Sequence, residues 1–158
     1  MASKRTPIPQ VDLDSLPGHH IRRLQQIAVA VFLQETESSG LTPVQYAVLQ
    51  GAANAPGVDQ RTQAGAIGLD TSTMATVVDR LEARGLMQRS ASQGDRRVRL
   101  LTLTDAGRIE LVAVLPAMQR AQERILQPLT PAERAAFMRM LRTLVDANNG
   151  LSRAPSVR

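Results

Sequence analysis

Three groups of side chains in this sequence have the types and spacing that chemistry needs. His19 and His20 are its only histidines, and Asp12 and Asp14 precede them closely. Thr71, Ser72, Thr73, Thr76 and Arg80 put small hydroxyls and one long cation within ten residues. Asp95, Arg96 and Arg97 follow directly after Gln93-Gly94, a turn signal. Each group has a plain reading beside the functional one. The paired histidines with the two carboxylates could hold a metal, but adjacent helical residues point about 100° apart, which is poor chelating geometry. That leaves ligand contact or solvated surface for the pair, with no metal or cofactor expected. Hydroxyls and Arg can read base edges in the major groove, or can simply be a solvated face. An arginine pair at a turn suits the minor groove, whose negative potential attracts guanidinium.

These groups need elements to carry them. A helix is predicted from about 17 to 38, with Ile21, Leu24, Ala28, Val31 and Phe32 on one face. Thr42-Pro43-Val44-Gln45 is a capping box with Pro at the first helical position, and it opens a second helix that closes near Asn54. A short helix over about 60–67 follows. The next helix starts after Asp70, a capping residue, with Met74, Val77, Val78 and Leu81 at helical spacing, and Gly85 stands where a left-handed cap is wanted. The hydroxyls and Arg80 fall on its other face. Residues 86–92 and 98–104 read as a hairpin whose tip carries Arg96 and Arg97. Thr104 caps a long helix to about residue 126, in which Pro116 predicts a kink. Thr130-Pro131-Ala132-Glu133 caps a final helix with Phe137, Met140, Leu141, Leu144 and Val145 on one face.

Composition narrows the possible partners. Of the 19 basic residues in the chain only Lys4 is not Arg, and the formal net charge is +5. From Arg80 to Arg108, seven Arg face only Glu82, Asp95 and Asp105, so most of that charge lies around the hairpin. Aromatics make up 2% of the chain, too few to stack single-stranded bases. There is no cysteine, which excludes thiol redox sensing and thiolate metal sites. No apolar run reaches the roughly 20 residues of a membrane span, so no membrane partner and a cytoplasmic location are expected. Serine-hydrolase, zinc-protease and phosphate-loop motifs are absent, and no enzymatic role is expected.

Two short helices followed by an arginine-tipped hairpin make a unit able to place a helix in the major groove and a wing beside it. The apolar faces of the outer helices are too extensive for so small a domain to cover, and a second copy would bury them. A helical dimeric adaptor that binds protein partners without DNA is the alternative reading, and the arginine-tipped hairpin is what an adaptor does not need.

The stretch from Leu41 to Gly107 resembles the MarR family of bacterial regulators. Leu41-Thr42-Pro43-Val44-Gln45-Tyr46-Ala47-Val48-Leu49, then Val78-Asp79-Arg80-Leu81-Glu82-Ala83-Arg84-Gly85-Leu86, carry the likeness, together with Asp95-Arg96-Arg97-Val98-Arg99 and Leu103-Thr104-Asp105-Ala106-Gly107. The resemblance implies a mainly α fold with a small β-hairpin wing, a winged helix-turn-helix inside an intertwined helical dimer. The division would be 1–40 arm and dimerisation helix, 41–107 DNA-binding region, 108–150 C-terminal dimerisation helices, and 151–158 a loose tail. It further implies a repressor on a pseudo-palindromic double-stranded operator. Thr71, Ser72, Thr73, Thr76 and Arg80 would face the major groove or its phosphates. Arg97, with Arg96 beside it, would enter the minor groove, and Asp95 would brace the wing by pairing with an Arg.

Members of the family commonly release DNA when a small aromatic acid binds where the dimer helices meet the reader. His19, His20, Arg22, Arg23 and Tyr46 are the candidate contacts, Tyr46 being equally readable as a packed core residue. The paired histidines and the general character of the chain resemble repressors of nicotinate-type catabolism, which implies a hydroxylated pyridine carboxylate, or failing that a hydroxybenzoate, as effector.

Overall fold

A computed structural model of the chain describes residues 8–152 together with Ala154 and Ser156. The start of the arm, residues 1–7, and residues 153, 155, 157 and 158 of the tail lie outside the described residues.

The described residues form six α-helices and three short strands, with a 3-10 turn at Leu13–Ser15 and another at Asn149–Leu151: α1 (Pro17–Glu35), α2 (Pro43–Asn54), β1 (Val58–Asp59), α3 (Gln60–Ala66), α4 (Thr71–Ala83), β2 (Met87–Ala91), β3 (Arg99–Leu103), α5 (Asp105–Leu126) and α6 (Pro131–Asn148). The helix starts follow the sequence signals closely. Thr42 and Gln45 form a reciprocal capping box, as do Thr130 and Glu133, while Asp70 and Thr104 accept the Thr73 and Gly107 amides. Gly85 takes a φ of 69°, a left-handed turn that releases the chain from α4 into the wing. Helix α1 ends at Glu35, earlier than predicted, where Thr36 leaves helical geometry at φ −103° and ψ 20°. Helix α5 passes through Pro116 without a break.

The hairpin is part of a three-stranded antiparallel sheet of order β1-β3-β2. β1 has no period to read at two residues long, and pairing with Leu100 and Leu101 is what makes it a strand. Its Asp59 then caps α3 through the Thr62 amide at 2.8 Å. The core lies under this sheet: Leu41, Val48 and Leu49 meet Met74, Val78 and Leu81 from α4, and Leu101, Leu103, Leu111 and Val114 close it from the strand and from α5.

The outer helices behave differently. No residue of α6 is buried, and Met140, Leu144 and Val145 are each more than half exposed, as is Ile21 on α1. Phe32, expected at or just beneath a dimer interface, is buried within its own chain against Tyr46, with ring centroids 6.0 Å apart. Glu35 binds Arg120 at 3.1 Å and Arg124 at 3.3 Å, fastening α1 to α5. Ser156 exchanges three hydrogen bonds of 2.8–3.1 Å with Asn149, which folds it back beside Gly68.

Candidate nucleic-acid interface

Helix α4 lies with Met74, Val77, Val78 and Leu81 in the core and Thr71, Ser72, Thr73, Thr76 and Arg80 exposed on the opposite side. The side chains of Ser72, Thr73, Thr76 and Arg80 line one shallow depression with Val77. Their hydroxyl protons are already committed. Ser72 donates to Asp70 Oδ1 at 2.6 Å, Thr73 to Asp70 Oδ2 at 2.8 Å, and Thr76 to the Ser72 carbonyl at 3.1 Å. With their protons so directed, these oxygens turn lone pairs outward as acceptors, and Arg80 is the long donor beside them.

The wing is tightly turned. Ser92 donates to the Val98 carbonyl and Val98 to the Asp95 carbonyl, each at 3.0 Å. Asp95 was expected to pair with an arginine side chain. It braces the wing through the backbone instead, its Oδ1 accepting the Arg97 amide at 2.9 Å, with no ion pair to it among the described residues. Among the described residues of the wing, the arginine that pairs with carboxylates is Arg89 on β2. It reaches Glu82 (Nε to Oε2, 2.8 Å) and Asp79 on α4, while its amide donates to Glu82 Oε1 at 2.7 Å. These bonds hold the Arg89 guanidinium even more firmly charged than usual, the Glu82 hydrogen bond leading. The wing is thereby tied to α4, so the two would approach DNA as one body.

Arg96 and Arg97 are both exposed. Arg97 lines a notch of about 320 Å³ shared by Asp59, Gln60, Arg61, Thr71, Val98 and Arg99. Arg61 and Arg99 were not singled out from sequence. The signal for Arg99 was available, since residues two apart on an extended chain share a face. Arg61 carried none, because only the β1–β3 pairing sets the start of α3 beside the wing.

The effector candidates do not meet within one chain. The Tyr46 hydroxyl donates to Gln50 Oε1 at 3.2 Å and its ring packs on Phe32, toward the C-terminal end of α1. Burial pushes its phenol pKa up. His19, His20, Arg22 and Arg23 stand at the other end of α1, roughly 13–20 Å away at 1.5 Å per helical residue. His20 Nε2 bonds the Asp14 carbonyl at 2.8 Å, and Arg22 donates to Gln26 at 3.3 Å. Desolvation, then Arg22, His20 and Arg23, hold His19 below the ordinary imidazole value. Among the described residues, no three His, Cys, Asp or Glu side chains converge as a metal ion would require. No helix among them is long and apolar enough to cross a membrane.

A further cavity has none of the effector candidates in its lining. It measures about 300 Å³, lies between α2, β3 and α5, and is lined by Gln50, Ala53, Leu103, Arg108, Leu111, Val112 and Leu115.

Residues 41–98 match the model of the MarR family. The transcriptional repressor NicR of Pseudomonas putida is 31% identical over 153 residues, covering 92% of this chain and 97% of its own. The chain belongs to the MarR family. Among solved relatives, PcaV of Streptomyces coelicolor in complex with its natural ligand superposes with a TM-score of 0.83 at 38% identity, covering 89% of this chain and 99% of its own. BpsR of Bordetella bronchiseptica, whose DNA binding is regulated by 6-hydroxynicotinic acid, gives 0.82 at 32% identity, covering 87% and 99%. This MarR-family chain is thus a DNA-binding transcription regulator with a winged-helix fold, and the reading as an adaptor without DNA is set aside.

Proposed function

We propose that the protein is a cytoplasmic, homodimeric repressor that leaves a pseudo-palindromic operator when a small aromatic carboxylate binds between its dimer helices and its reader. Helix α4 would lie in the major groove, with Arg96 and Arg97 toward the minor groove. The exposed apolar residues of α1 and α6 supply the surface that a second copy would cover.

The observation that carries the ligand reading is the cavity between α2, β3 and α5. Leu103, Leu111, Val112 and Leu115 give it apolar walls, Gln50 a polar anchor, and Arg108 a single cation for a carboxylate. Such a composition, at the lower end of ligand-pocket size, fits one aromatic ring with an acid group. Tyr46 does not line the cavity, but its hydroxyl bonds Gln50, which does. Because β3 is also a strand of the wing, a ligand there would bias the angle between α5 and the reader. It would shift the equilibrium by its differential affinity for the two arrangements. His19, His20, Arg22 and Arg23 would contribute from the partner copy, since their own chain holds them far from Tyr46. The relative BpsR, whose DNA binding 6-hydroxynicotinic acid regulates, favours a hydroxylated pyridine carboxylate within this class.

Calorimetry and DNA anisotropy with hydroxybenzoates and hydroxylated pyridine carboxylates test this. One acid should bind and release DNA, and Arg108→Gln should weaken it at least tenfold while leaving DNA binding without ligand in place. An acid that binds Arg108→Gln as tightly as the wild type would place the site elsewhere.

A further inference from the structure

We propose that the notch between α3, α4 and the wing is a phosphodiester site, in which Arg61 and Arg99 of one protomer clasp the same phosphate of the DNA backbone. The inference deepens the DNA-binding reading, and rests on α4 and the wing facing the duplex.

Most arginines that the structure shows bonded are spent on the protein itself. Arg89 is held by Glu82 and Asp79, and Arg120 and Arg124 by Glu35. Arg84 donates to the Ser39 and Gly40 carbonyls, and Arg134 to those of Gln127 and Leu129. Arg61, Arg97 and Arg99 line one notch of about 320 Å³, and among the described residues none of the three has a carboxylate within ion-pair distance. The one acid in the lining, Asp59, is turned to the start of α3. Its side chain accepts the Thr62 amide at 2.8 Å, and hydrogen bonds from the Thr62 hydroxyl first and its amide second hold the carboxyl below the usual range.

Three arginines around one notch outnumber its single carboxylate, Asp59, with which none of them pairs, and a bound oxyanion would offset the excess positive charge. Thr71, the first residue of α4, also lines the notch and brings a hydroxyl-bearing side chain to it. The notch also lies where the recognition helix begins and the wing returns, which is where a strand passing from major to minor groove must cross. An open, solvated cluster holds a free phosphate weakly, whereas a duplex already seated on α4 delivers one at high effective concentration. The backbone phosphate is therefore the occupant.

A shared phosphate has a signature that general basicity lacks. Each neutralised phosphate of B-DNA contributes about 0.9 to the slope of log affinity against log salt. A dimer presents two notches, so Arg61→Gln, Arg99→Gln and the double variant should all flatten the slope by the same amount, about 1.8, whereas independent phosphates would give the double about 3.6. The duplex is one that the wild type selects from a random library. Methylphosphonate placed singly along each half-site then locates the contact. One position should weaken the wild type and have no effect on either variant. Both side chains are exposed, and unchanged thermal melts confirm that the variants fold.

Additive slope losses, or no position at which the methylphosphonate effect vanishes in both variants, would overturn the proposal while leaving DNA binding intact. Inorganic phosphate added at constant ionic strength should not displace DNA. Displacement from the wild type but not from the variants would assign the notch to a free anion and likewise overturn it. A wild type that selects no duplex would refute the DNA-binding reading itself, and this inference with it.

Discussion

Two helical glycines in this chain should respond to alanine with opposite signs. Gly18 lies in the first turn of α1, and a Cβ built there meets nothing within 4 Å. Gly107 lies in the first turn of α5, and a Cβ there falls 1.9 Å from the Leu86 carbonyl oxygen and 2.9 Å from its carbon. Propensity alone favours alanine at both by about 0.5–1 kcal/mol. At Gly107 that gain meets backbone, which cannot swing aside as a side chain could. An ordinary carbon–oxygen contact is about 3.3–3.6 Å, so the two segments must part by more than an ångström. The Leu86 oxygen also accepts the Thr104 amide at 3.3 Å, and the Thr104 hydroxyl holds the Gly85 carbonyl at 2.6 Å, so separation opens the joint between wing and α5. Overpacking of this kind costs about 1–3 kcal/mol and occasionally more, which outweighs the propensity. Gly107→Ala should therefore lower the thermal midpoint by several degrees, at about 2–4 °C per kcal/mol for a chain of this size. Gly18→Ala should leave the midpoint level or raise it slightly. Melts at equal protein concentration keep dimerisation from confusing the comparison. DNA affinity should fall for Gly107→Ala alone, because the joint sets the wing. A Gly107→Ala protein as stable as wild type would refute the close approach of α5 to Leu86.

Other perturbations separate the parts of the reader and of the dimer. Thr73→Val removes an oxygen whose proton is turned to Asp70 and whose lone pair faces outward, so it should cost about 1–3 kcal/mol of preference for a base pair offering an amino group in the major groove. Unchanged relative affinities across single-base variants of the selected duplex would count against this role. Arg89→Met severs the wing from α4 with both partly covered; a loss of about 1–2 kcal/mol in stability is expected. Its DNA affinity should fall more than its stability does, and chemical denaturation beside anisotropy measures both. Replacing Leu144 and Val145 together by Ala removes apolar surface that α6 leaves exposed in its own chain. Sedimentation should show weaker dimerisation, and a wild type that sediments as a monomer at micromolar concentration would contradict the homodimer.

Much of this protein was determined locally and could be read from residue order. The caps at Thr42, Asp70, Thr104 and Thr130 act within three residues of the helices they start, so their chemistry does not wait for the fold. The core face of α4 follows from helical periodicity, and the face bearing Thr71, Ser72, Thr73, Thr76 and Arg80 is its complement. The left-handed turn at Gly85 and the arginine-bearing wing loop are likewise local. Contacts between segments far apart in the chain were decided by tertiary structure. Val58–Asp59 becomes a strand only because β3 offers an edge, and that pairing brings Arg61 to Arg97 and Arg99. Arg89, whose position in the sequence says nothing of Glu82 or Asp79, becomes the tie between wing and recognition helix because β2 folds back along α4. Asp95 spends its carboxylate on the amide two residues away, the nearest donor the turn presents, and not on an arginine. Arg108 enters a cavity with Gln50 because α5 crosses α2 there, whereas Arg22 and Arg23 are set apart from Tyr46 by the length of α1. Periodicity reports which face of an element is apolar, and packing alone decides what that face meets.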